Sequence, residues 1–338
     1  GRRASTNTSA APTRDSASNA MSTTRITSSA SYTVVGTGTE HGALSVVVLH
    51  RGRPAAGREK LLSRLQALGA SEVISVERGR RPLDVESLAA AHQHLRFLLL
   101  GEDSDGETSP GAAINIALNE ARSRRVLVLW SDVEVAKLPP GATAGAATVA
   151  KNSVFHAVTV PYARSQRREV MPTLSAPAQV KRRLRIILTP PESDGNPSLY
   201  PFDYVGIYDR PCFLQLGGFD TAIRSEYWQR LDFGLRCFLW GHRISLDRSF
   251  VVDYRLEPEP EDTTPRDGYR RFFLKNLAVR RSQDRARLSW RRLPMFLLNT
   301  DGGLWSGIKA FCNVQQWVET HRYDFQMDAS GIAELWEV

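Results

Sequence analysis

The chain has 338 residues, of which 42% are hydrophobic and 24% charged, and it carries a formal charge of +8. That length admits one large domain or two small ones, and the composition is ordinary for a globular protein in water. No apolar run approaches the roughly 18–20 residues that span a bilayer, and no apolar signal core precedes residue 40. The three cysteines (Cys212, Cys237, Cys312) show neither metal-ligand spacing nor a disulfide framework, which fits a reducing, cytoplasmic compartment.

Residues 1–40 are rich in Ser, Thr and Ala and poor in large apolar side chains, which predicts a disordered tail. Ser18-Asn19-Ala20 ahead of Met21 has the look of a vector remnant, with Met21 as the expected native start. Order is expected from near Leu44. Residues 45–49 (SVVVL) form a short apolar run closed by His50-Arg51-Gly52-Arg53-Pro54, the signature of a buried strand and its exit loop. Leu61, Leu62, Leu65 and Leu68 then recur at helical spacing up to Gly69. Residues 72–77 (EVISVE), 95–100 (LRFLLL) and 125–130 (RVLVLW) read as further strands, and 114–121 as a helix opening near Gly111. Strands alternating with helices through short loops predict a parallel sheet in an α/β domain. Ligands of such sheets sit beyond the carboxyl ends of the strands, which draws attention to residues 50–53, 77–79 and 130–134.

Residues 139–148 and 190–201 are loops by composition. Gly217-Gly218-Phe219-Asp220 forms a turn ahead of a helix in which Asp232 and Arg236 share one face, followed by a strand over 244–254. From Tyr269 onward the pattern is mainly helical. Between Arg266 and Arg292 there are ten Lys/Arg against two Asp, a net +8 that equals the charge of the whole chain. Such a field attracts phosphate on a nucleotide or on an anionic membrane. Nucleic acid is disfavoured, because no nucleic-acid module is recognisable and the aromatic residues are not interleaved as stacking platforms.

Six segments occur in the order found in family 2 glycosyltransferases. They are SVVVLHRGRP (45–54), EVISVERG (72–79), SPGAAIN (109–115), VLWSDVEV (128–135), Gly217–Asp220 with the helix after it, and FFLKN (272–276). The chain resembles that family from about residue 44 to about 282. The resemblance implies a GT-A fold, a mixed sheet flanked by helices over 42–260, with a helical, basic C-terminal extension over 261–338. It also implies a nucleotide-diphospho-sugar donor, a hexose-type sugar, and a glycan, lipid or protein acceptor, with the basic segment 266–292 free to touch the inner face of an anionic membrane. Carried over position by position, His50, Arg51, Glu77, Gly111, Asn115 and Asp132 are the expected nucleotide-sugar residues. Trp228, Arg230 and Arg236 are expected at the acceptor or the diphosphate, and Asp132 with Glu134 at an Mg2+ or Mn2+ ion.

The chain departs from the family pattern where the chemistry is usually done. Trp130 stands at a customary acidic or amide position, Ile114 at a customary basic one, and Tyr254 or Asp253 where some members carry a metal-binding His. The place of the usual base falls on Arg230, which cannot accept a proton at neutral pH. Asp232 is then the expected base, with Glu226 in reserve, and metal dependence is expected to be weak. The alternative is a GT-A domain that binds a nucleotide, a sugar or a protein without catalysing transfer.

Overall fold

The computed structural model describes residues 26–28, 32–38, 42–51, 58–78, 84–101, 108–143, 156–180, 183–265, 268–298 and 304–332. The strands in chain order are β1 (Ile26–Ser28), β2 (Tyr32–Val35), β3 (Leu44–Leu49), β4 (Glu72–Arg78), β5 (Leu95–Leu100), β6 (Arg125–Trp130), β7 (Val133–Lys137), β8 (His156–Arg164), β9 (Leu174–Val180), β10 (Arg183–Thr189), β11 (Gly206–Asp209) and β12 (Arg243–Tyr254). The helices are α1 (Arg58–Ala67), α2 (Val85–Ala91), α3 (Pro110–Glu120), α4 (Arg210–Gln215) and α5 (Glu226–Leu239). The C-terminal part adds α6 (Tyr269–Phe272), a π turn (Phe273–Leu277), a short hairpin of β13 (Arg280–Ser282) and β14 (Arg285–Arg287), α7 (Leu293–Leu298) and α8 (Leu304–Thr320).

Ten strands form one mixed sheet in the order β1-β2-β5-β4-β3-β6-β11-β8-β12-β7, flanked by helices. This is the α/β class, with the mixed sheet that the resemblance implied; the strand–helix alternation had predicted its parallel part alone. β3 to β6 are mutually parallel, with Val46 opposite Val73 on one side and Leu127 on the other. Val46, Val47 and Val48 are fully buried, as near-continuous apolar strands covered on both faces must be. β11 runs antiparallel to β6, so the segment entering it, Phe202–Tyr204, arrives at the edge where β6 ends. β12 runs parallel to β8 and delivers Tyr254 to the same edge.

Local chemistry sets the helix boundaries. Ser109 caps α3 by accepting from the Ala112 amide at 3.3 Å, and Pro110 follows at the first helical position. Gly217 and Gly218 both have positive φ, 77° and 64°, which lets the chain turn tightly before α5. The backbone of α5 lies against residues 199–200, where a Cβ on Gly234 would stand 1.7 Å from the Leu199 carbonyl oxygen.

Two expectations need correction. Order begins before Leu44, because Tyr32–Val35 pairs antiparallel with β5 in place of a disordered stretch. The region after Tyr269 also contains a hairpin as well as helices. Its three-residue strands, rich in exposed arginine, are too short and polar to register as a strand pattern.

Candidate functional site

Three parallel strands end side by side and present polar residues directly after their apolar runs. From β4, Glu77 is 3% exposed and accepts from the Ser75 hydroxyl at 2.8 Å. Because that hydroxyl donates to Glu77, it accepts from His50 Nε2, 2.9 Å away at the end of β3. His50 Nε2 also lies 3.6 Å from the Glu77 carboxylate. The next residue, Arg51, places its guanidinium 4.3 Å over the ring of Trp130 and its Nε 3.3 Å from Asp132, which follows β6. His50, Arg51, Glu77 and Asp132 therefore share one edge of the sheet, as the strand ends implied.

Asp203 and Glu261, which no sequence motif singled out, and Arg230, expected at the acceptor or the diphosphate, lie next to this edge. Asp203, in left-handed conformation with φ 53°, turns its carboxylate onto Arg51 while its carbonyl oxygen accepts from Trp130 Nε1 at 2.8 Å. Burial raises the Asp203 pKa to about 6 against the pull of Arg51 and Arg230. Burial disfavours the charge on Arg51, yet the Asp203 and Asp132 carboxylates outweigh it and hold its pKa above the usual value. The two shifts agree physically, since Arg51 is partly solvated and Asp203 is not. Arg230, on α5, is buried against the rings of Tyr204 and Tyr200 at 5.0 and 5.9 Å. Its Nη2 lies 3.2 Å from Glu261, which also accepts from the Tyr200 hydroxyl at 2.6 Å. Charges of alternating sign thus run from Asp132 through Arg51, Asp203 and Arg230 to Glu261. Glu261 forms part of the wall of a groove of about 550 Å³ that Tyr200, Phe202, Tyr227, Glu257 and Glu259 also line. A signal for Asp203 existed: it is the one acid inside the otherwise apolar run 199–207, which enters a buried strand.

Other expected site residues lie elsewhere. Asp232 is fully buried and accepts from Arg236 Nε and Nη2 (3.0 and 2.9 Å), Lys275 Nζ (3.1 Å) and Asn276 Nδ2 (2.8 Å). With both oxygens engaged and no solvent access, it cannot serve as an acceptor-facing base. Arg236 is equally buried and donates to the carbonyl oxygens of Leu216 and Gly218, so it clamps the diglycine turn and does not meet a diphosphate. Asn115 clamps the same turn from α3, donating to the Phe219 carbonyl and accepting from the Phe219 amide, both at 2.8 Å. Gly111 provides space for the neighbouring helix, since a Cβ there would stand 2.1 Å from Gln229 Oε1. Trp228 is buried against Tyr269 and Phe272, with Nε1 donating to the Thr264 carbonyl at 2.8 Å, and offers no open sugar platform. Glu226 is exposed on the first turn of α5. Glu134 is exposed and paired with Arg64 (3.3 Å) and Arg255 (2.9 Å).

The donor set does not fit an Mg2+ or Mn2+ ion. Asp132 and Asp203 supply hard oxygens, but both carboxylates are turned onto Arg51, and Trp130 contributes only an N–H donor. Glu134 is exposed and engaged by Arg64 and Arg255. Among the described residues, no three His, Cys, Asp or Glu converge as a metal site.

No known protein family and no curated protein matches the chain. Solved structures do resemble it in shape. The crystal structure of S. aureus TarS is 15% identical over 85% of this chain and 46% of its own, with a TM-score of 0.44. That of GalNAc-T7 with UDP, GalNAc and Mn2+ is 13% identical over 82% of this chain and 57% of its own, with a TM-score of 0.47. The mannosyltransferase PcManGT from Pyrobaculum calidifontis with GDP-Man and Mn2+ is 12% identical over 83% of this chain and 70% of its own, with a TM-score of 0.40. The chain spans about half the length of the first two. At these identities and scores the likeness does not extend to activity.

Proposed function

We propose that the protein is a nucleotide-sugar-dependent glycosyltransferase of GT-A type whose donor diphosphate is received by arginine in place of a divalent ion. The observation that carries this reading is the guanidinium of Arg51, held between Asp132 and Asp203 over Trp130 at the carboxyl ends of the parallel strands. A fixed, preorganised cation at that edge can stabilise the charge that develops as a diphosphate departs. Arg230 supplies a second positive charge behind it. Glu77 and His50, next to each other on the same edge, suit the hydroxyls of a ribose. A hexose-type donor and a glycan, lipid or protein acceptor are what the resemblance to family 2 glycosyltransferases implies.

Transfer itself needs a carboxylate beside the acceptor. Glu261 is our candidate for it, supported by its position in the groove wall, and Arg230 or Tyr200 would have to yield one of its oxygens. The acceptor hydroxyl oxygen would bond to the anomeric carbon as its proton passes to Glu261. The bond from that carbon to the diphosphate oxygen would break, leaving the electron pair on the oxygen facing Arg51.

One observation favours the second reading, a GT-A domain that binds without catalysing. Both arginines already have carboxylate partners, so a diphosphate must compete with Asp203 and Glu261 for them. Calorimetry with UDP-, GDP- and dTDP-sugars, paired with donor hydrolysis in EDTA or manganese, separates the two. Binding with EDTA-resistant hydrolysis that disappears in Glu261→Gln supports the enzyme. Binding with no hydrolysis supports the silent domain. No binding to any donor, or a strict manganese requirement, overturns the arginine-based site.

A further inference from the structure

The C-terminal extension exposes several large apolar side chains. On α7, Met295 and Leu298 are 62% and 88% exposed, and at the start of α8 Leu304 and Trp305 are 60% and 82% exposed. α7 and α8 are joined by the rings of Phe296 and Phe311, 6.0 Å apart. Trp290 packs on Phe311 at 5.3 Å yet remains 54% exposed. It opens onto a cavity of about 600 Å³ lined by Arg285, Arg287 and Arg291 together with Gln315 and Glu319, the last paired with Arg322. Exposed Arg280, Arg281 and Lys309 lie on adjoining elements. Among the described residues, no ion pair holds Arg285, Arg287 or Arg291.

The charge of the basic segment is not all available for docking. Arg271 and Lys275 are spent on Asp220, each at 2.7 Å. What remains outward is the arginine-lined cavity beside a ridge of leucine, methionine and tryptophan. No described helix is long and apolar enough to cross a membrane. We propose that this face, residues 280–298 with the start of α8, docks peripherally on a bilayer of anionic phospholipid. Leu298, Leu304 and Trp305 enter the acyl boundary, and the arginines around Trp290 receive headgroup phosphates. Positive charge selects an anionic surface, and the exposed aliphatic and indole groups lower their free energy by leaving water at the interface. A protein partner would satisfy the apolar residues but gives no account of the cationic cavity next to them. The inference is independent of the catalytic reading.

The test uses the full chain and sedimentation with two vesicle types, phosphatidylcholine alone and phosphatidylcholine mixed with phosphatidylglycerol. Binding is expected only to the anionic vesicles and should weaken with added salt. Arg285→Gln with Arg287→Gln should lower partitioning roughly 30-fold, at about 1 kcal/mol per basic side chain. Leu298→Ser with Trp305→Ser should abolish binding at physiological salt, and Trp305→Phe should remove most quenching of fluorescence by brominated lipid. These side chains are exposed, so an unchanged circular dichroism melt is expected for every variant. Absence of binding to anionic vesicles overturns the proposal, as does full binding by both double variants. Concentration-dependent dimerisation abolished by Leu298→Ser with Trp305→Ser would overturn it as well, by assigning the face to a second copy of the chain.

Discussion

Two arginine–carboxylate clusters lie on α5 and its neighbours, built from the same residue types and serving different ends. Around Asp232 the charges are sealed: Asp232, Arg236 and Lys275 are each at most 2% exposed, and they tie the diglycine turn to α5 and the π turn. Burial works against Lys275 and lowers its pKa, with Asp232 opposing and Arg236 adding to the shift. Burial likewise works against the charge on Asp220, but Lys275 and Arg271 outweigh it and hold that carboxyl well below the usual range. Around Asp203 the cluster is open on one side, because Arg51 keeps 35% of its side chain in solvent and Glu261 reaches a groove. A closed cluster fixes a loop, whereas an open one can exchange a partner for a ligand. Solvent access therefore separates scaffold from candidate site here more sharply than charge or motif does.

Removing the closed cluster's anion should have the largest effect. Asp232→Ala leaves Arg236 buried without its carboxylate and Lys275 with Asp220 alone, and is expected to cost ~3–5 kcal/mol of stability in urea denaturation. A loss below ~1 kcal/mol would break the contrast by showing that this cluster is also solvated.

The next effect is a pH dependence specific to Asp203. Its folded pKa of about 6 exceeds the ordinary 3.8. The folded state therefore holds the proton more tightly, and this group's contribution is fully present below the unfolded value. It is lost as pH rises from about 4 through about 6, on the order of 2–3 kcal/mol. Asp220 acts with the opposite sign, its stabilisation disappearing only in strong acid. The comparison is between wild type and Asp203→Asn, and identical stability–pH curves would show that Asp203 is not buried as described.

Ligand binding sharpens the open side. Arg51→Met should weaken calorimetric affinity for a nucleoside diphosphate by ~1.5–3 kcal/mol, the range for a hydrogen bond to a charged group. Arg271→Met, which alters only the neighbourhood of Asp220, should leave that affinity unchanged. Equal losses in the two would erase the distinction between the clusters.

The smallest effect is expected at Glu134. Its pairs with Arg64 and Arg255 are solvent-exposed, so Glu134→Gln should shift stability by under ~1 kcal/mol. It should also leave diphosphate affinity in manganese as it is in EDTA. A manganese-dependent loss would restore this residue to a metal site.

Much of the architecture was legible in the chain. The apolar runs at 45–49, 72–77, 95–100 and 125–130 became four adjacent parallel strands, because continuous apolar segments of that length bury both faces. β2 escaped notice because its four residues are embedded in a Ser/Thr-rich segment and gain order by pairing with β1 and β5. Likewise His50, Arg51, Glu77 and Asp132 were findable, since a polar residue directly after a buried strand must emerge at the sheet edge. Asp232, Arg236, Gly111 and Asn115 matched motif positions as well, but their surroundings could not be read from spacing.

The sequence by itself determined the alternation of strands and helices, the turn at the two glycines, and which residues leave the sheet at its carboxyl edge. These depend on neighbours a few positions apart, where periodicity and glycine conformation act directly. Only the tertiary structure decided which acid is closed and which is open. The partners of Asp232 include Lys275 and Asn276, more than forty positions away, and Asp203 meets Arg51 across 152 positions. Burial and pairing at such distances arise from packing, and packing sets the free energy of a charge and whether a ligand can reach it.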